Sequence, residues 1–399
     1  MQRYIVIGGG LAGLAAANAL AGEGRKVVLL EQSEHLGGRA MTRQDRGYLL
    51  NLGPHALQLA GVAAQTLRQW DVPFQGNSPD TSSASFVTHA GRMYPLFLTT
   101  RGLLTTRLFS ATEKLQAARI LQQLVAGGRT AVGESMEDWI ERRARSPRVR
   151  QFVAMLARVS TFTADHSHLS ARAALDQYRR ANTHGVLYLD GGWQTLVAGL
   201  EQRARGLGVE IRLSETVESL EACRADGIVL AVPPAAVERI TSCRLPTMYP
   251  VRLACLDLGL RKLPEGAARV ALGVDQPLYL SLHSAAARLA PPGAALVHVA
   301  KYLAGGTDAA SDRRELEQFV DLAIPGWREH VELVRFLPQL TVANAIFSPQ
   351  GRPAVDELGI PGVALAGDWV GPEGMLADAA VASALRAAGM VQRQRLRAA

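Results

Sequence analysis

An unbroken apolar run at 4–7, a glycine cluster at 8–13, an alanine-rich stretch at 11–21 stopped by Gly22 and Gly24, and a second apolar run at 27–30 closing on Glu31 predict strand, turn, helix and strand. The chain therefore opens as a βαβ unit. A second α/β stretch follows Asp190-Gly191-Gly192, where Leu196, Val197, Leu200 and Ala204 form a helical stripe ended by Gly206 and Gly208. Alternation then predicts strands at 209–213 and 216–220, and a buried strand at 228–232 closed by Pro233-Pro234. A third piece has a strand at 363–366, Gly367-Asp368, a Gly/Pro loop through Gly374 and a small-residue helix over about 376–388.

The intervening stretches differ in character. Residues 61–185 read as helical and arginine-rich, whereas 246–335 carries strand-like runs at 251–258 and 296–302. No internal repeat appears. The simplest organisation is one α/β domain assembled from 1–60, 186–245 and 336–399, with a second, α+β domain built from 61–185 and 246–335.

The turn Gly8-x-Gly10-x-x-Gly13 stands between a strand and a helix, where glycine permits a sharp turn, close approach of a pyrophosphate to backbone N–H groups, and helix–sheet packing. Glu31, eighteen residues beyond Gly13, ends the second strand. Its carboxylate can accept hydrogen bonds from both ribose hydroxyls, which points to a dinucleotide without a 2′-phosphate.

Gly8-Gly9-Gly10-Leu11-Ala12-Gly13, Glu31, Gly37-Gly38-Arg39, Asn51-Leu52-Gly53-Pro54, Asp190-Gly191-Gly192 and Ala366-Gly367-Asp368 occur in this order along the whole chain. Together they resemble the flavin-containing amine oxidase superfamily, which includes protoporphyrinogen oxidases and phytoene-desaturase-like enzymes. The resemblance implies a three-layer Rossmann-like FAD-binding domain with an inserted substrate domain, and FAD as cofactor. It places Gly8, Gly10, Leu11, Ala12 and Gly13 at the pyrophosphate, Gly38 and Arg39 beside the pyrophosphate or ribityl chain, and Gly53 and Pro54 along the isoalloxazine edge. Val217 would meet the adenine through its backbone, and Gly367-Asp368 the ribityl or ribose hydroxyls. The helix starting near Met375 would point its N-terminus at the flavin pyrimidine. Arg39 as a surface ion pair and Asp368 as a helix cap are the competing readings. Asn51 stands where the family often has Asp, and no cysteine lies near 367–388, so the FAD is expected to be non-covalent.

Candidates for chemistry are His55, which follows Gly53-Pro54 and could relay a proton or position substrate, and Lys301, at the end of an apolar strand. A histidine bonded only to backbone and a salt-bridged lysine are their alternatives. Asp165, His166 and His168 have metal-like spacing, but nothing completes a site and no metal is expected.

Composition narrows the rest. Hydrophobic residues make up 48% and charged residues 20%, a folded globular balance. Lys+Arg 43 exceed Asp+Glu 36 for a net charge of +7, but the basic residues are dispersed or interleaved with Glu137, Asp138 and Glu141. No nucleic acid partner is expected. Three cysteines without a CxxC, no leader-like start and no apolar run of about 18 residues point to a cytoplasmic protein. An apolar stretch at 93–110 around Arg101 and Arg107 could rest on a membrane surface or pack inside the second domain. Neither GxSxG nor a Walker-type loop occurs, which removes hydrolase and phosphoryl-transfer readings.

The expectation is hydride transfer from a small, largely apolar molecule to flavin N5. Gly374-Met375-Leu376-Ala377-Asp378-Ala379 lacks the Tyr or Phe with which amine oxidases of the superfamily flank a substrate nitrogen. A flavin amine oxidase and a non-redox FAD protein such as an isomerase are the alternatives. Oligomeric state has no signature here.

Overall fold

The computed structural model describes residues 3–306 and 308–396. Five strands, Glu210–Arg212, Lys26–Leu30, Arg3–Ile7, Gly227–Leu230 and Val363–Leu365, lie side by side in that order, all parallel. Their apolar runs are continuous because both faces are covered. Tyr4, Val6, Val27 and Leu29 point to one core, where the helix Leu11–Gly22 and the C-terminal helix Leu376–Leu396 pack through alanines. Ile5, Ile7, Val28 and Leu30 point to the other, beneath Val237 and Ile240 of the helix Pro234–Thr241. This is the three-layer arrangement expected of an α/β dinucleotide-binding fold.

A second sheet has seven strands in the order Val331–Ala343, Val251–Leu260, Ala295–Leu303, Leu278–Leu282, Val270–Gly273, Ser85–His89 and Arg92–Pro95. It is antiparallel except where Val270–Gly273 runs beside Ser85–His89. The helices Ala111–Val125, Met136–Arg143, Pro147–Thr161 and Ala171–His184 cover one face, and Ala309–Ala323 covers the other.

Several elements differ from the periodicity. No strand forms at 216–220: beyond Arg212 the chain turns at Ser214, φ +56°, and the N–H groups of Ser214 and Glu215 donate to the carbonyls of Ser33 and Glu31 instead of extending the ladder. The strand expected at 228–232 ends at Leu230. The C-terminal helix runs to Leu396, past 388. Val331–Ala343 carries the second sheet beyond 335, as an edge strand with Pro338 in its middle. The helix Val62–Gln69 packs with the first core through Ala63, Ala64 and Leu67, although 61 was expected to begin the second domain. The stretch 93–110 divides: Phe97, Leu103, Leu108 and Phe109 are buried, while Leu104 is 66% exposed.

Candidate active site

A cavity of about 850 Å³ runs from the carboxyl ends of the parallel strands, at Ile7 and Leu30, to the second sheet at Leu272, Tyr279 and Leu340. Ligands of doubly wound sheets bind at such strand ends. Gly8, Gly10, Leu11, Ala12, Glu31, Gly38, Arg39, Pro54, His55, Val217, Gly367, Asp368 and Met375 all line it. Gly13 and Gly53 stand just behind. A Cβ on Gly13 would collide with the Gly8 carbonyl, so this glycine serves the turn itself. Gly53, φ +80°, fits beneath Leu340 and Cys255, whose side chains a Cβ would meet at 2.7 and 3.3 Å.

The residues present fit an FAD. A Cβ on Gly10 would find nothing nearer than the Gly37 carbonyl oxygen at 4.0 Å, and one on Gly38 nothing nearer than Gly10 Cα at 3.6 Å. Both glycines thus face open space at the N-terminus of Leu11–Gly22, where backbone N–H groups and the helix dipole favour an anion. Glu31 accepts from Gly9 N–H at 2.5 Å and Ser33 N–H at 2.9 Å, one on each carboxylate oxygen, and each oxygen keeps a further lone pair. Arg39 donates through Nη1 to Asp368 Oδ2 at 2.8 Å and to the Val342 carbonyl at 2.7 Å. Asp368 also accepts from Asn344, through its backbone N–H at 3.1 Å and Nδ2 at 3.0 Å. Arg39 and Asp368 therefore form one ion pair in the cavity wall.

The other end of the cavity is apolar, with Leu52, Leu96, Leu156, Val159, Phe162 and Leu340 prominent, and Tyr188 and Tyr279 among them. His55 sits here. Its Nδ1 lies 3.0 Å from the Gly53 carbonyl oxygen, so that nitrogen carries the proton, and its ring meets Trp193 edge-on at 4.9 Å. Burial pushes its pKa down to about 4 and nearby positive charge at His298 and Arg39 adds to this, against the pull of the Gly53 and Arg39 carbonyls. The ring is neutral near pH 7, with Nε2 as its lone-pair nitrogen.

Lys301 departs from expectation. It does not line the cavity, and its ammonium pairs with Asp312 at 2.9 Å and with Glu315. These carboxylates raise its pKa despite partial burial. His168 bonds Asp165 and stacks on Tyr249, and no group of three metal-ligating side chains occurs among the described residues. Trp369 is buried at the cofactor end and donates Nε1–H to the Val232 carbonyl.

Sequence reasoning missed two sets of residues. Asp378 lines the cavity, accepts from Ala63 N–H at 2.9 Å, and is pushed up to about 6, chiefly by burial. Asp257 and His298, both fully buried, pair at 2.5 Å beneath the His55 segment, with Arg335 on the other Asp257 oxygen. The available signal was a charge in the middle of each of two apolar runs, Leu256-Asp257-Leu258 and Val297-His298-Val299.

The family model for flavin containing amine oxidoreductases matches residues 11–241. Among curated proteins, an L-amino-acid oxidase of Crotalus adamanteus is 34% identical over 84 residues, 21% of this chain and 16% of that protein. The match thus spans less than a fifth of that relative's length. Among solved structures, an oxidoreductase from Methanosarcina mazei superposes with a TM-score of 0.76 at 18% identity, covering 96% of this chain and 99% of that one. Cyclohexylamine oxidase from Brevibacterium oxydans gives a TM-score of 0.69 at 15% identity, covering 99% and 100%. At such identities the superpositions establish the fold.

Proposed function

This chain belongs to the flavin-containing amine oxidoreductase family, a family of FAD-dependent oxidoreductases, and from that premise we propose that it oxidises or desaturates a neutral, largely apolar organic molecule. The observation that carries the reading is the substrate end of the cavity: its surface is aliphatic and aromatic, and His55 is uncharged there near neutral pH. A substrate carboxylate would need a free cation at that end. Arg39 is already paired with Asp368, and Lys301 lies outside.

In this reading Gly8, Gly10, Leu11, Ala12 and Gly38 leave room for the pyrophosphate, Glu31 holds a ribose, and Asp368 with Arg39 holds the ribityl side. Bound FAD supplies the hydride acceptor. Pro54, Leu52 and Leu340 exclude water, and His55 Nε2 accepts a hydrogen bond from the substrate. None of the three cysteines lines the cavity, which supports non-covalent attachment. We assign the parallel sheet and its helices to a cofactor domain, and the seven-stranded sheet, through Ala343, to a substrate domain.

Amine oxidation is the second reading, favoured by one observation: Asp378 is a carboxyl group in the cavity wall that could face an ammonium. Anaerobic mixing separates the two. Hydroaromatic and polyene compounds should bleach the flavin, and mono-, di- and polyamines should not. Bleaching by amines alone, at rates of about 1–1000 per second, would replace the first reading with the second.

A further inference from the structure

Three neighbouring strands bring Arg335, Asp257 and His298 into register, with Asp257 directly opposite both of the others, and His298 opposite Ser281 on a fourth strand. Cross-strand partners share a face, so these residues form one polar row beside the apolar Leu253, Cys255, Ala300 and Tyr279 of the same strands. Arg335 donates to Asp257 Oδ2 through Nε at 2.8 Å and Nη2 at 2.6 Å, and His298 Nδ1 bonds Asp257 Oδ1 at 2.5 Å. Both ends of the row reach the cavity wall. Arg335 Nη2 also donates to the Asn51 carbonyl oxygen, which accepts Gly53 N–H at 3.0 Å as well. The Gly53 carbonyl in turn holds His55 Nδ1. At the far end, Ser281 Oγ lies 3.1 Å from the Tyr188 hydroxyl, and His283, edge-on to His298 at 4.5 Å, stacks on the Tyr188 ring at 3.8 Å.

A stability role explains this poorly. Removing a charged group from water costs several kcal/mol per ion, and buried ion pairs replaced by apolar residues of similar volume often leave a protein as stable or more so. Burial opposes the charge on Asp257, and His298 and Arg335 outweigh it to keep the carboxyl below the usual range. What an apolar trio could not do is donate to the Asn51 carbonyl, as Arg335 does with Asp257 and His298 fixed behind it.

We propose that Arg335, Asp257 and His298 are positioning residues, which hold the Asn51–His55 segment so that His55 is locked as the Nδ1-protonated tautomer facing substrate. This rests on the reading of His55 as a substrate-facing group. The lock itself is a property of the protein that can be read without any substrate.

The test uses the FAD-loaded protein and nitrogen NMR of its histidine rings, with His55 assigned by its disappearance in His55→Gln. Wild type should show two widely separated ring-nitrogen shifts for His55. The variant Asp257→Leu/His298→Leu/Arg335→Met should keep its flavin spectrum and a cooperative melt, while the two His55 shifts converge as the tautomers average. A folded triple variant whose shifts stay apart overturns the proposal. Should the triple variant fail to load FAD, Arg335→Met, which leaves the Asp257–His298 pair intact, must show the same convergence, and Arg335→Lys should restore part of the separation. If none of these folds, the row acts on stability alone and the proposal falls. Failure of apolar compounds to bleach the flavin would remove the substrate reading and leave this result standing.

Discussion

Asp378 is held where two helices begin. It lies in the first turn of Leu376–Leu396 and accepts the Ala63 N–H in the first turn of Val62–Gln69, in a space that exists because Gly61 has no Cβ to meet its carboxylate. Helix N-termini favour its anion, yet burial and Glu373 win and raise its pKa to about 6. The sign follows. Below about pH 4 the group is protonated folded or unfolded and costs nothing; as pH rises toward 6 the unfolded chain ionises first and the folded state loses ground, by about 3 kcal/mol for two pH units. Asp378→Asn keeps an acceptor for Ala63 and carries no charge, so its stability relative to wild type should rise by roughly 1–3 kcal/mol between pH 4 and pH 7.5 in urea titrations. A constant difference across that range would show that Asp378 ionises freely. Gly10→Val would put a branched side chain into the open space before the helix, and FAD binding followed by flavin fluorescence should be lost while the fold remains. The glycines and Glu31 were legible because their chemistry is local to a span of residues 8–31. Asp257, His298 and Arg335 were not, since their partners stand 41 and 78 residues apart and meet only through sheet register.

At the scale of elements, the helix Pro147–Thr161 forms a wall of the cavity with Leu156, Val159 and Ser160 and is tied by hydrogen bonds to the second sheet through Arg158. Arg158 crosses to the second sheet and donates through Nη2 to the carbonyls of Gly273, Val274 and Gln276 at 2.8, 3.1 and 3.4 Å. Burial pushes its pKa down to about 10. Arg158→Met would strand those carbonyls and should cost about 1–3 kcal/mol in chemical denaturation, with substrate KM rising more than FAD affinity falls. The exposed corner at Leu98 and Leu104, beside Arg101, Arg107 and Lys114, adjoins the cavity through Leu98. If it rests on anionic lipid, low-salt co-sedimentation with phosphatidylserine vesicles should fall in Leu104→Glu; protein wholly in the supernatant would leave this corner as ordinary surface. Doubly buried strands were legible as continuous apolar runs. The strand expected at 216–220 misled because alternation is also satisfied by a loop tied to its neighbours, as at Ser214 and Glu215.

For the whole molecule, the cavity draws its lining from the beginning, middle and end of the chain, so an FAD bound there should brace the fold as well as equip it. Protein purified with about one FAD per chain should melt well above its apoprotein. At 100 times the dissociation constant the gain is about 2.7 kcal/mol, and equal melting temperatures would show that FAD does not bind the folded chain in preference to the unfolded one. The two-sheet plan was legible in the sequence, since three α/β segments separated by two insertions must rejoin. Which insertion residues line the substrate end was not, because an apolar lining has the same composition as any core. The parallel sheet has one more consequence, which concerns synthesis. Arg3–Ile7 is its central strand, and the neighbours on one side, Gly227–Leu230 and Val363–Leu365, emerge from the ribosome more than 200 residues later. At about 5–20 residues per second, the earliest strand waits roughly ten seconds or more with an unpaired edge. The nascent amino-terminal half should therefore depend on chaperones, and slowing translation should lower the yield of yellow protein more than that of the total polypeptide.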